Sequence, residues 1–313
     1  MSKVRSYLSL IKFSHTIFAM PFALIGFFLS IKTAEITYGI GQWNLNKTIG
    51  RGESRIEEDI NYWPAIKLLI LIILCMIFAR SAAMAFNRYL DRRFDAKNPR
   101  TAIREIPSGI IKANNVLLFT IASCILFIAC CFFINKLCFY LSPVALAVIL
   151  GYSYTKRFTP FCHLVLGLGL SLAPIGAYLA VAGQFALLPI LFSLAVLFWV
   201  SGFDIIYALQ DEQFDKENKL YSMPAWLGKS KALRVSELLH VLSAAAVLFA
   251  GWYGNLGWLY WAGTAVFIGM LIYQHTIVKP NDLKKVNVAF MTANGIASVV
   301  FAIFVIADLF INS

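Results

Sequence analysis

The chain has 313 residues, 60% of them apolar and only 14% charged, and carries a formal net charge of +11. Soluble domains of this length sit nearer half apolar and a quarter charged, so a water-soluble fold is excluded. No basic domain stands apart from the apolar runs, which argues against nucleic acid as the partner of that charge and for membrane lipid instead.

Taken in order, the apolar runs predict nine transmembrane helices, at roughly 8–31, 64–87, 115–134, 138–154, 162–183, 185–206, 236–252, 257–275 and 288–310. The runs lack the alternation of a membrane barrel, and helices satisfy their own backbone in lipid, so the expected class is all-α. The first run follows Lys3 and Arg5 without a convincing small-residue cleavage site, and is read as a retained helix rather than a signal peptide. With the N-terminus inside, the inside segments hold 20 Lys and Arg against 5 outside. That asymmetry places the N-terminus in the cytoplasm and the C-terminus outside. Residues 1–313 are expected to form a single membrane domain, with cytoplasmic loops near 88–114 and 207–235. The outside loop near 34–63, with its "RIEED", suggests no chemistry. The six cysteines form no Cys-x-x-Cys pair and mostly lie inside apolar runs, where a thiol behaves as a small hydrophobe.

Two acidic clusters interrupt this pattern. "NRYLDRRFDAKNPRT" places Asn87, Asp91 and Asp95 four residues apart, and a shift of 120 residues lays them on Tyr207, Asp211 and Asp215 of "DIIYALQDEQFD". That layout predicts two four-helix halves plus a ninth helix, with both clusters on the cytoplasmic side. Four residues advance a helix by about 400°, so each triplet shares a face if its helix continues. Asp204 and Arg80 each lie two turns before their clusters. Crowded carboxylates repel unless a cation compensates. Two facing sets of hard oxygen donors suit Mg²⁺, which takes part of its shell from substrate phosphates. Arg92, Arg93, Arg100 and Arg104 supply forked donors for a diphosphate. A solvated helix end explains one such cluster about as well, but not two with matched spacing on one membrane face.

The stretch "RSAAMAFNRYLDRRFDAKNPRTAIREIPSG" resembles the first signature of the UbiA-type intramembrane aromatic prenyltransferases, and "DIIYALQDEQFDKENKLYSMP" resembles the second. "YSYTKRFT" is similar to the Tyr-x3-Lys that follows helix four in that family. The resemblance implies that Asn87, Asp91, Asp95, Asp211 and Asp215 hold Mg²⁺. The same five residues, with Arg100, Arg104 and Lys156, would hold a polyprenyl diphosphate. It implies that Arg80, Tyr152, Lys156 and Asp204 line the reaction chamber as catalytic residues, with Asp204 a candidate base. Tyr207 is as readily a packing residue. The acceptor implied is an aromatic acid, 4-hydroxybenzoate in the best-known branch, in quinone synthesis at a bacterial inner membrane. The helix-one stretch "IKFSHTIFAMPFALIG" departs from that branch's usual pattern, which leaves a naphthoate-type acceptor open, and leaves His15 as either an acceptor contact or a helix-end residue. An ion-coupled transporter also uses repeats and membrane acids, but places them near the midplane, whereas these crowd the cytoplasmic ends.

Overall fold

A computed structural model describes residues 3–11, 18–38 and 63–311. His15 and most of the 34–63 loop lie outside the described residues. Each of the nine expected runs meets a helix: α1 (Lys3–Leu10) with α2 (Met20–Tyr38), then α3 (Trp63–Lys97), α4 (Ala113–Ile134), α5 (Lys136–Thr155), α6 (Cys162–Ala182) and α7 (Leu187–Ala208). A 3₁₀ turn (Leu209–Asp211), α8 (Glu212–Glu217) and α9 (Met223–Leu227) follow; then come α10 (Lys229–Tyr253), α11 (Trp258–Ile277), a π-helix (Val288–Ala293) and α12 (Asn294–Ile311). Among the described residues no strand occurs, only one antiparallel bridge between Lys279 and Asp282.

Seven helices among the described residues are long and apolar enough to cross a membrane, and a shorter apolar one covers Met20–Thr33. The expected count of nine is not reached by this measure, because only Met20–Thr33 of α2 is counted and α11 is less apolar. The first run, expected as one helix, is two helical pieces, and Pro21 stands at the start of the second, where its missing N–H costs nothing.

The largest core lies between α2, α7, α10, α11 and α12, around Trp199, Phe22, Phe192, Tyr260, Phe267 and Phe301. A buried network joins several of its polar groups, as a low-dielectric interior favours, while Thr264 Oγ1 and Gln274 Oε1 have no hydrogen-bond partner among the described residues. Trp199 Nε1 and Gln274 Nε2 donate to Asn294 Oδ1 at 2.8 and 2.9 Å. The Asn294 amide in turn donates to the carbonyls of Ala289 and Phe290, both at 3.1 Å, within the π-helix. Asp308 accepts from the Gly257 and Tyr260 amides at 2.7 and 3.2 Å, satisfying the open N-terminus of α11. All six cysteines are free, and Cys75 faces Cys131 at 3.8 Å within an apolar wall.

Small residues set the helix spacing, as membrane packing favours. At Gly167 of α6 an added methyl would collide with the Leu197 carbonyl and the Ser201 hydroxyl of α7. Gly167→Val should therefore lower stability by about 1–3 kcal/mol, the usual cost of overpacking. Thermal unfolding in detergent checks this; an unchanged midpoint would contradict the close approach.

Candidate active site

Helix α3 does not stop at the membrane end of its apolar run but continues ten residues past Asn87, to Lys97. Asn87, Asp91 and Asp95 thus occupy successive turns of one continuous helix, as their spacing predicts. Asn87 Nδ2 donates to Asp91 Oδ2 at 3.1 Å. Arg157, just beyond α5, donates to Asp91 Oδ1 at 3.3 Å and to the Leu90 carbonyl at 3.0 Å. Its guanidinium lies near the rings of Phe94 and Tyr154. Asp95 is buried, and its Oδ1 accepts from Arg104 at 2.6 Å. The turn at Asn98–Arg104 folds Arg104 back onto the helix that precedes it, helped by the Thr101 hydroxyl donating to the Asp95 carbonyl.

The second cluster is arranged differently from its expected single face. After Ala208 the chain tightens into the 3₁₀ turn, which advances about 120° per residue instead of about 100°. Three such residues turn Asp211 and Asp215 by roughly 60° relative to a continuous helix. The reason is visible in their partners. Arg100 grips Asp211 with two nitrogens, at 2.6 and 2.9 Å to Nη2 and 3.3 Å to Nε, and donates to the Tyr207 hydroxyl at 3.1 Å. Asp215, fully buried, pairs with Lys156 at 2.7 Å and accepts from the Ser222 hydroxyl at 2.8 Å. Burial works against the Lys156 ammonium, but the Asp215 carboxylate outweighs it and holds its pKa above the ordinary lysine value. Arg100 is shifted the same way, burial opposing and Asp211 prevailing. Both cations keep their charge at neutral pH.

Four carboxylates and four basic groups thus ring one polar cavity of about 280 Å³. Asp204 lines it too, and Asp204 Oδ2 lies 2.6 Å from Nδ1 of the buried His163. Beside it lies an apolar cavity of about 370 Å³ between α3, α4, α5 and α6. Arg80, Met84, Tyr152, Leu166 and Leu170 line both. Arg80 and Tyr152 therefore stand at the junction of a charged chamber with a greasy one. Tyr207 belongs to both readings given for it: its hydroxyl accepts from Arg100, and its ring packs on Phe290 at 4.3 Å.

The donor set fits a hard divalent cation in kind, since carboxylate and amide oxygens are what Mg²⁺ takes. Asp95 Oδ2 is buried without a hydrogen-bond partner among the described residues, an oxygen that lacks compensation as it stands. No three acidic, His or Cys side chains among the described residues are grouped closely enough to hold an ion in their present pairing. The carboxylates would have to exchange their basic partners for it.

The structure brings together the site residues that the family resemblance implies: Arg80, Asn87, Asp91, Asp95, Arg100, Arg104, Tyr152, Lys156, Asp204, Asp211 and Asp215 all line the polar cavity. Arg92 and Arg93 do not line it, because they leave α3 on other sides; Arg92 folds over the Tyr89 ring. Sequence reasoning missed Arg157, His163 and Ser222. A signal existed for His163, a lone ionisable residue opening the otherwise apolar run of α6.

Comparison with known proteins agrees with this picture. The sequence pattern of the UbiA prenyltransferase family matches residues 60–296. A 4-hydroxybenzoate octaprenyltransferase of Aeromonas salmonicida is 31% identical over 240 residues, covering 76% of this chain and 82% of that protein. One of Tolumonas auensis is 29% identical over 239 residues, covering 76% and 83%. Among solved structures, the apo UbiA homologue from Aeropyrum pernix K1 superposes with a TM-score of 0.72 at 26% identity, covering 95% of this chain and 98% of that one. The Archaeoglobus fulgidus homologue bound to DMAPP and Mg²⁺ superposes with a TM-score of 0.71 at 18% identity, over 98% and 99%, a likeness of fold. With the family pattern spanning most of its length, and the two acidic motifs meeting at one cavity, the chain belongs to the UbiA prenyltransferase family.

Proposed function

We propose that this chain transfers a polyprenyl group from its diphosphate to a ring carbon of 4-hydroxybenzoate, with Mg²⁺, in respiratory quinone biosynthesis. The observation that carries the reading is the union of a ring of acids and bases with an apolar cavity through Arg80 and Tyr152. One chamber suits a diphosphate and the other its hydrocarbon tail. The names of the bacterial relatives support the acceptor, and the fold neighbour bound to DMAPP and Mg²⁺ supports the donor and the metal.

Asn87, Asp91, Asp95, Asp211 and Asp215 would hold Mg²⁺, which when bound neutralises charge gathering on the departing diphosphate. Releasing their carboxylates frees Arg100, Arg104, Arg157 and Lys156 to donate to the diphosphate oxygens, where preorganised donors lower the barrier. The allylic C–O bond breaks with its electron pair leaving on the diphosphate, and the ring carbon forms the new C–C bond. Asp204 takes the ring proton, and the electrons of that C–H bond restore aromaticity. The apolar walls keep water from the allylic cation.

In this reading all 313 residues form one membrane domain of nine spans, two four-helix halves and a ninth helix. Its N-terminus and acidic loops face the cytoplasm of a bacterial inner membrane and its C-terminus faces outside. The helix-one stretch "SHTIFAMPFALIG", which departs from the usual 4-hydroxybenzoate pattern, keeps a naphthoate-type acceptor of menaquinone synthesis as the second reading. Purified protein supplied with Mg²⁺, several prenyl diphosphates, hydroxybenzoates and hydroxynaphthoates should yield a prenylated hydroxybenzoate by mass spectrometry, and none once EDTA removes the metal. A product on the naphthoate alone would replace the acceptor; product formation undiminished by EDTA would remove the metal from the scheme.

A further inference from the structure

His163 is a buried ionisable residue that the mechanism above does not use. It opens α6, and its ring lies between two partners. On one side Nε2 lies 3.3 Å from the backbone nitrogen of Met223. An amide N–H only donates, so Nε2 is the acceptor and carries no proton. A neutral imidazole has one N–H, which places the proton on Nδ1, facing Asp204 Oδ2 at 2.6 Å. A doubly protonated ring would set Nε2–H against the Met223 N–H, two donors head to head. The Met223 amide cannot turn away. It is the first residue of α9, whose N-cap Ser222 accepts from the Ala225 amide and donates to Asp215.

Resting on the proposed role of Asp204, we infer that His163 is a positioning residue: its Nδ1–H fixes Asp204 Oδ2 and leaves Oδ1 as the oxygen that receives the ring proton. Oδ1 has no hydrogen bond among the described residues, and the side chain lines the polar cavity. As the new C–C bond forms, the ring C–H electrons return to the ring and the proton passes to Oδ1, from which water later removes it. Helices α6 and α7 bring the two residues together because Gly167, one turn beyond His163, lets α6 close on Leu197 and Ser201.

The same peptide run links this pair to the diphosphate end of the site. Leu220 N donates to the Asp215 carbonyl at 2.8 Å, Tyr221 N to the Lys156 carbonyl at 2.7 Å, and Met223 N to His163. The base and the clamp are thus registered against one stretch of backbone.

Two replacements separate this role from packing. His163→Asn puts an amide N–H near the position of Nδ1 and keeps a donor for Asp204. His163→Gln reaches the position of Nε2, where its carbonyl serves the Met223 amide but leaves Asp204 without a donor. The Gln variant should lose kcat by about 10- to 100-fold, the worth of one hydrogen bond to a charged group, with KM for both substrates unchanged. With ring-deuterated acceptor it should also gain a kinetic isotope effect on kcat, as proton removal becomes slow. The Asn variant should recover most of the rate. Equal impairment of both variants, loss of binding of a non-hydrolysable prenyl diphosphate analogue by the Asn variant, or a Gln variant at the wild-type rate each overturns the proposal. Asp204→Asn separates the two ideas. If it turns over normally, the base role itself fails and this inference with it; if it is dead while His163→Gln is normal, only the positioning role fails.

Discussion

Asp91→Ala and Asp211→Ala should each reduce prenyl transfer by about 10²- to 10³-fold or more, the loss that follows removal of one preorganised electrostatic partner at a developing charge. The two residues come from different motifs and different elements, yet each is held by a cation across the same cavity: Asp91 by Arg157, and Asp211 by Arg100. In the proposed mechanism, truncating either removes a ligand oxygen pair for the divalent ion and leaves its guanidinium to bind the diphosphate in the wrong register. Substrate affinity should change less than turnover, because the remaining bases still attract the polyanion. Steady-state kinetics with a prenyl diphosphate and 4-hydroxybenzoate measure this. Near-normal turnover in both variants would falsify the mechanism at its root.

Lys156→Met should reduce turnover by about 10²-fold and also destabilise the protein. Its ammonium is the ionic partner of Asp215, which is wholly buried. Deleting it leaves a carboxylate with one neutral donor, Ser222, and a buried acceptor without its partner costs about 1–3 kcal/mol. Replacing both members, Lys156→Met with Asp215→Leu, should recover most of the stability but not the activity, since no buried charge is left unpaired and only the Ser222 hydroxyl loses its acceptor. Unfolding midpoints and rates measured on the same samples separate the two effects. A single Lys156 variant as stable and as active as the parent would contradict both roles.

What could be read from the sequence follows the range of the physical signal. Apolar runs mark the helices, because lipid demands a continuous stretch; each of the nine meets a helix, though seven pass on length and hydropathy. The four-residue spacing of Asn87, Asp91 and Asp95 is a local property, and α3 realises it as one face. The second triplet has the same spacing but a different shape, because Arg100 and Ser222 hold Asp211 and Asp215 after a tighter turn. Nothing local encodes that. His163 and Asp204 are 41 residues apart, and Arg157 and Asp91 are 66 apart. Such pairs exist only once helices have packed, so a reading by periodicity passes them over. Lys156 was found by its motif while its neighbour Arg157, equally engaged, was not.

The widened turn at Val288–Ala293 has a further bearing on the mouth of the site. A π-turn accommodates one residue more than ordinary winding, so the last span carries a small phase offset that Asn294 sustains from within. Phe290 rides on that offset, its ring lies over Tyr207, and Tyr207 shares Arg100 with Asp211. Deleting a single residue there would rewind the segment by about 100° and withdraw the aromatic backing from the arginine. The far C-terminal helix is in this sense a shim, its thickness setting how firmly Tyr207 backs the Arg100 guanidinium.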